Sequence, residues 1–193
     1  MDKEFQIIEE LKQNALYRID ESTRMIKKSL ADISEEEVWQ KPNASLNSIA
    51  NLILHLCGNI SQYAISSLGE NEDTRNRDAE FAATGGYTKE ELLNKLDDVL
   101  DSAKRIIFDA STAQLVQKRS VQGFSFSGIG IILHVVEHYS YHTGQIAFWV
   151  KQLKNKDLGF YDGVDLNIKN KKLEKSTEYR VISTKYQMSS TKC

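Results

Sequence analysis

The chain has 193 residues, 40% of them hydrophobic, and its 27 acidic and 25 basic side chains give a formal net charge of -2. That length suffices for one well-packed core, and the near-neutral charge argues against nucleic acid or an anionic membrane as a partner. No apolar run reaches the roughly 18 residues of a membrane span, and the first residues lack the pattern of a secretory signal. We therefore expect a soluble, cytoplasmic protein whose two cysteines, Cys57 and Cys193, stay reduced.

Apolar residues recur at helical spacing along most of the chain, which contains a single proline, Pro42. The first predicted helix spans about 3–30 and has apolar residues on one side and charges on the other. A short helical turn is predicted around 34–39, before the proline. A second long helix is predicted over about 43–68 and ends before Gly69.

Two further long helices are predicted in the second half of the chain. The third begins at Thr88, which forms the capping-box pattern with Glu91, and it continues through LLNKLDDVLDSAKRIIFDA. The fourth follows QGFSFSG and ends near Leu153. Together the four long helices predict an all-α protein.

The second and fourth predicted helices differ from the other two in their lack of charge. Residues 42–69 contain no Asp, Glu, Lys or Arg, and Glu137 is the sole charged residue between Arg119 and Lys151. A helix exposed along one face normally carries charges there. We therefore expect this pair of helices in the interior or beside a pocket.

The second helix presents a polar but uncharged stripe opposite its apolar side, which includes Leu46 and Cys57. The stripe consists of Ser48, Asn51, His55, Asn59, Gln62 and Ser66. This composition suits either a wet, semi-enclosed cavity or a solvent face that lacks charges. Cys57, on the apolar side, is expected to act as a small hydrophobic residue rather than a nucleophile.

The other three histidines of the chain, His134, His138 and His142, follow one another at intervals of four on the fourth helix. Residues four apart project from one helix face about 6 Å apart, so two neighbouring histidines can converge on one cation. His134 and His142 are about 12 Å apart on a straight helix, too far for both to bind one ion. One of the two neighbouring pairs must therefore be chosen.

The first choice pairs His134 with His138, whose surroundings, HVVEH, match the HxxEH pattern of inverzincin metallopeptidases. Glu137 would then be the general base acting on water at the metal. This alternative needs a carboxylate ligand from elsewhere, for which Glu174 and Glu178 are the downstream candidates.

The second choice pairs His138 with His142 and adds His55 from the other charge-poor helix. Three neutral imidazoles leave a fourth coordination position open, which is the arrangement of a catalytic site. Zinc, nickel or another divalent first-row ion would suit these ligands. His134 would be a neighbour one turn away, either hydrogen-bonded to a ligand or substrate or simply packed in the core.

The segments NLILHLCGNI and HVVEHYSYHTGQIAFWVKQL, with the intervening loop EDTRNRDAEF, resemble the DinB/YfiT-like superfamily of metal-dependent proteins over roughly residues 5–153. The resemblance implies a four-helix bundle, a homodimer, and metal ligands at His55, His138 and His142. It also implies that the metal activates a low-molecular-weight thiol, as co-substrate, for transfer or isomerisation. The alternatives are a non-catalytic dimeric bundle whose metal is structural, and a binding module for a small hydrophobic molecule.

Side chains near the histidines are candidates for catalytic roles. Glu137 points about 100° away from His138, so we expect it to support the site rather than to bind the metal. Tyr141 could donate to a developing anion, and Gln145 could bind an imidazole or the substrate, although both residues also suit ordinary bundle packing. Arg75 and Arg77 could clamp an acidic thiol conjugate, but we expect the loop that contains them to be a solvated surface loop.

The domain organisation predicted from these patterns is a bundle over 1–156 and a C-terminal extension over 157–193. Leu158, Phe160 and Tyr161 could dock on the bundle, and YRVISTKYQ alternates well enough for a short strand or an extended arm. We expect a small-molecule substrate as the partner, together with a second copy of the chain.

Overall fold

The computed structural model describes residues 2–170 of the chain, and helices dominate this part. The helices are α1 (Lys3–Leu30), α2 (Glu35–Trp39), α3 (Ile49–Ile60), α4 (Arg77–Ala82), α5 (Lys89–Asp109), α6 (Thr112–Val116) and α7 (Gly128–Lys154). A π-helical segment, Ser61–Leu68, continues α3 without a break, and a small hairpin of β1 (Lys118–Val121) and β2 (Phe124–Ser127) precedes α7.

The four long helices form the bundle. α1 packs against α7, α7 against α3, α3 against α5, and α5 against α1, which closes the arrangement around one core. Each helix contributes fully buried apolar side chains, among them Leu16, Ile53, Leu96 and Val135. The prediction of an all-α four-helix bundle of the DinB/YfiT-like type is confirmed, and burial of these apolar faces is what holds it together.

Capping residues set where the helices begin. Thr88 and Glu91 form the predicted capping box: the Glu91 carboxylate accepts from the Thr88 backbone N–H at 2.8 Å, and the Thr88 hydroxyl accepts from the Glu91 N–H at 3.2 Å. Ser48 and Asn51 form a second box, so α3 begins at Ile49 rather than near 43. Leu46, expected on the apolar side of this helix, therefore precedes it and is 49% exposed.

The hairpin before α7 was not anticipated from the sequence. β1 and β2 are antiparallel, and Val121 pairs with Phe124 across a two-residue turn. Both turn residues, Gln122 and Gly123, have positive φ, as a type I′ hairpin turn requires. The hairpin ends at Ser127, whose side chain caps α7.

The segment between the second and third long helices was expected to be a solvated loop, but part of it is helix α4. Asn76 caps this helix by accepting from the Ala79 backbone N–H at 3.1 Å. Asn51 on α3 donates its amide to the carbonyl oxygens of Glu80, at 3.0 Å, and Ala83, at 2.8 Å. These bonds hold the end of α4 against α3.

The chain divides into two compact units, Met1–Phe160 and Tyr161–Cys193. In the first unit, Leu158 is buried. Residues 161–170, the described part of the second unit, contain neither helix nor strand. The predicted domain boundary at 156/157 stays a prediction, and the predicted arm within YRVISTKYQ lies outside the described residues.

No helix within residues 2–170 combines the length and apolar character that crossing a bilayer requires.

Candidate metal centre

Helices α3 and α7 bring His55, His138 and His142 together. One ring nitrogen from each of the three lies within 4.8 Å of those of the other two. The Nε2 atoms of His55 and His138 are 2.9 Å apart, and the ring centroids of His138 and His142 are 4.5 Å apart. The three histidines named from the sequence thus lie in one cluster, while their assignment as metal ligands stays a prediction.

Burial favours the neutral form of two imidazoles of the cluster, those of His138 and His142. Burial and the neighbouring imidazoles of His142 and His55 lower the pKa of His138 to about 3. Burial also lowers the pKa of His142, against the hydrogen bond that His142 donates to Gln145, which raises it. Because only a neutral imidazole has a lone pair to offer, neutral His138 and His142 need no net loss of a proton before they bind a cation at neutral pH.

The residues present fit a divalent first-row ion. Three imidazole nitrogens are the donor set of several catalytic zinc sites, and they leave one position for water or substrate. In a tetrahedral site with about 2.1 Å bonds, two nitrogens are roughly 3.4 Å apart. One pair of nitrogens in the cluster is 2.9 Å apart, and all three lie within 4.8 Å of one another, a range that includes this value.

A buried ion pair lies behind His55. Glu80 is 8% exposed, and its Oε2 lies 2.9 Å from Nδ1 of His55. Arg75 donates from Nε to Glu80 Oε1 at 2.8 Å and from Nη2 to Oε2 at 2.9 Å. Burial alone would raise the pKa of Glu80, but the hydrogen bonds from Arg75 and His55 outweigh it and lower the pKa. The carboxylate is therefore ionised at neutral pH.

Gln145 supports His142 in a similar way from within α7. Its Oε1 lies 2.7 Å from Nδ1 of His142. Because an amide oxygen only accepts, Nδ1 of His142 carries the proton and Nε2 is left with its lone pair. Of the two roles predicted for Gln145, the structure shows the contact with an imidazole.

His134 lies outside the three-histidine cluster. Its ring stacks on Tyr63 with centroids 3.8 Å apart, and its Nε2 lies 3.2 Å from Nδ2 of Asn59. The ring also stacks against that of His138, with centroids 5.2 Å apart. His134 is thus in contact with Asn59 of α3 and with Tyr63 of the π-helical segment. The peptidase alternative also requires a carboxylate ligand, and its candidates, Glu174 and Glu178, lie outside the described residues.

Two pockets open beside the cluster. One, of about 520 Å³, is lined by His134, Glu137, His138, Ser140 and Tyr141. It gives solvent access to His138, and it includes two of the three predicted catalytic residues, Glu137 and Tyr141. The catalytic role of both stays a prediction.

The second pocket, of about 540 Å³, is mainly apolar. It is lined by Pro42, Ser45, Leu46, Asn47, Leu52, Tyr141, Gly144, Gln145, Phe148 and Trp149. Phe148 is 69% exposed there. Gln145 links this pocket to His142.

The polar stripe predicted for the second long helix, α3, is buried near the site. Ser48, Asn51, His55 and Asn59 are each at most 6% exposed, which rules out a plain solvent face for this part of the stripe. Arg75, expected in a solvated loop, has a side chain only 3% exposed. Sequence reasoning missed the role of Glu80 because no spacing rule connects it to His55, 25 positions earlier.

The fold and the site together define a helical bundle with a histidine cluster suited to a metal ion. The family model described as "Protein of unknown function (DUF1572)" matches residues 6–161. The chain belongs to this family. A search of curated proteins finds no match.

Two solved structures show the same fold. A conserved protein from Enterococcus faecalis is 14% identical, with a TM-score of 0.64 over 75% of this chain and 97% of that one. A DinB-like protein, YjoA, from Bacillus subtilis is 18% identical, with a TM-score of 0.58 over 79% of this chain and 96% of that one. At these identities the likeness concerns the fold alone.

Proposed function

We propose that the protein is a metal-dependent enzyme that activates a low-molecular-weight thiol, or water, for attack on a small electrophilic substrate. His55, His138 and His142 are the ligands in this proposal, and the cation is zinc or nickel. The observation that carries it is the convergence of three imidazoles from two helices, two of them buried and that of His138 half-buried, whose ring nitrogens lie within 4.8 Å of one another.

The chain's own residues prepare this point for a cation. His138 and His142 are held neutral by burial, and Gln145 keeps the proton of His142 on Nδ1. When bound, a divalent cation supplies the Lewis acidity that lowers the pKa of a thiol or water at the remaining position. Three neutral ligands leave the cation's charge undiminished, which favours an anionic nucleophile.

The two pockets supply places for the reactants. The pocket at His138 admits a polar thiol or water, and Glu137 and Tyr141 line it within reach of the solvent. The apolar pocket that begins at Gln145 suits the apolar part of an electrophile, since its volume lies within the range of small-ligand sites. Tyr141 lines both pockets, and in this proposal its phenol donates to the anion that develops on the acceptor.

The peptidase alternative is less well supported by the geometry. It requires His134 and His138 to bind one ion with Glu137 as base, yet His134 is engaged by Asn59 and Tyr63. The homodimer, the cytoplasmic location and the small-molecule partner expected from the sequence belong to the present proposal as well.

The proposed function is tested by a thiol-transfer assay on metal-loaded protein. Cysteine, glutathione and coenzyme A are each offered with an activated aryl halide, whose carbon gains the sulfur while halide leaves and the thiol proton passes to buffer. We expect turnover above the uncatalysed rate with the wild type and its loss in His142→Ala. Absence of turnover with every thiol, despite bound metal, would contradict thiol activation and favour a non-catalytic metal-binding bundle.

A further inference from the structure

We propose that Glu80, held in place by Arg75, is a positioning residue that fixes His55 as the tautomer with its proton on Nδ1. Nε2 of His55 then presents its lone pair to the cluster. The consequence for metal affinity rests on the proposed function, whereas the tautomer is a property of the metal-free chain.

The hydrogen bonds of Glu80 leave one assignment for His55. Arg75 donates to both carboxylate oxygens, so the carboxylate is ionised and acts only as an acceptor. Oε2 lies 2.9 Å from Nδ1 of His55, a distance that requires a proton between the two atoms. That proton must belong to Nδ1. Nη2 of Arg75, 3.2 Å from Nδ1, then lies beside a second donor and makes no hydrogen bond with it.

This assignment also determines His138 in the metal-free protein. With its proton on Nδ1, His55 offers the lone pair of Nε2 to Nε2 of His138 at 2.9 Å. Two lone pairs would repel each other at this distance, so Nε2 of His138 carries a proton and donates it. The tautomers of both rings therefore follow from the carboxylate behind His55.

Arg75 is what allows a carboxylate to occupy this position. An unpaired buried carboxylate is costly, and the guanidinium supplies both the opposite charge and paired hydrogen bonds. The guanidinium is itself fixed, because its Nη1 donates to Oε1 of Gln62 at 2.8 Å and Nε2 of Gln62 donates to Asp73 at 2.7 Å. The chain of contacts runs from the loop before α4 to the nitrogen of His55.

The backbone also leaves space for Glu80. Asn51 anchors the carbonyl oxygen of Glu80 to α3, and Gly58, one turn beyond His55, has no side chain where the carboxylate lies. A carboxylate placed behind a histidine ligand typically changes metal affinity on the order of 10–100-fold when it is removed. An ion pair with only a structural role would leave the tautomer and the affinity unchanged.

The test combines nitrogen NMR of the imidazoles with metal titration. In metal-free wild type, with His55 assigned by comparison with His55→Gln, we expect Nδ1 of His55 to be protonated and Nε2 to be bare. In Glu80→Gln we expect a mixture of tautomers and a cobalt affinity lower by on the order of 10–100-fold. Arg75→Met should act in the same direction. Asp97→Asn, which removes the carboxylate bound by Lys27 at 2.7 Å, is the matched control and should change neither measurement.

The outcomes separate this inference from the proposed function. A bare Nδ1 on His55 in the metal-free wild type would overturn the inference, and this measurement does not depend on whether any variant folds. Equal cobalt affinity in folded Glu80→Gln and wild type would overturn it too. The expected tautomer in a protein that binds no cobalt would support the positioning of His55 and overturn the proposed function instead.

Discussion

Gly58 on α3 lies directly against the carboxylate of Glu80. A Cβ atom on Gly58 would overlap Oε1 of Glu80 and lie 2.7 Å from its carboxyl carbon and 3.0 Å from Nε of Arg75. Glu80 cannot simply turn away, because both of its oxygens are bound by Arg75 and one also meets His55. The absence of a side chain at position 58 is therefore part of how His55 is supported.

Gly58→Ala should weaken metal binding although the atoms nearest to its added methyl group belong to Glu80 and Arg75 and not to a histidine of the cluster. The added methyl group forces Glu80 out of its position, so we expect cobalt affinity to fall by on the order of tenfold. The measurement is a competition titration against a chelator of known affinity.

Gly144→Ala is the matched control for this substitution. Gly144 also lies within a long helix, but a Cβ there meets no atom within 4 Å. Alanine should stabilise the helix by about 0.5–1 kcal/mol and leave cobalt affinity unchanged. An equal loss of cobalt affinity in Gly58→Ala and Gly144→Ala would contradict an effect that acts through the contact between position 58 and Glu80.

Tyr139→Phe should destabilise the bundle by about 1 kcal/mol. The Thr23 hydroxyl donates to the carbonyl of Ile19 at 2.8 Å, so it accepts from the Tyr139 hydroxyl at 2.9 Å. Tyr139 is fully buried, and the substitution removes the donor of this bond between α1 and α7. Urea unfolding measures the loss, and metal content should be unaffected. The same substitution is then made in Thr23→Val, which lacks the acceptor. If Tyr139→Phe destabilises this variant as much as it destabilises the wild type, a direct hydrogen bond between Tyr139 and Thr23 is contradicted.

Cys57 should be inert towards thiol reagents in the folded protein. It is 2% exposed, and burial raises the pKa of its thiol to about 12, so almost no thiolate forms at pH 8. In Cys193→Ser, an aromatic disulfide reagent should detect a thiol only after denaturant is added. Rapid labelling of the native variant would show that Cys57 is accessible and reopen a nucleophilic role for it.

The fold was predictable where local signals and packing agree. The apolar face of α1 and the Thr88–Glu91 capping box marked the first and third long helices correctly. The start of α3 was missed because Leu46 fits the apolar spacing of the helix, so the pattern extends back beyond Ser48, the residue that caps the helix. The hairpin was missed because its strands, KRSV and FSFS, are short and mostly polar, and Gln122–Gly123 is not one of the Asn-Gly or Asp-Gly pairs that typically mark a type I′ turn.

The site was only partly predictable. The spacing of the histidines on α7 limited the possible metal-binding pairs to two. The low charge of α3 and α7 indicated that these helices lie together in the interior, which places His55 of α3 near the histidines of α7. Arg75 was named only as a candidate for binding a thiol conjugate, and Glu80 was not singled out, because charged residues in a short polar segment normally indicate solvent exposure. Their charges compensate each other, so both can be buried, and that compensation depends on a tertiary contact that no local pattern encodes.

Metal analysis of four single variants tests the central claim most directly. Proteins carrying His55→Ala, His138→Ala, His142→Ala or His134→Ala are purified identically, loaded with zinc or nickel, and measured for metal per chain by elemental analysis. The account predicts about one ion per chain in the wild type and in His134→Ala, and loss in the other three. Retention in His142→Ala together with loss in His134→Ala would contradict the three-histidine site and assign the metal to the HVVEH pair.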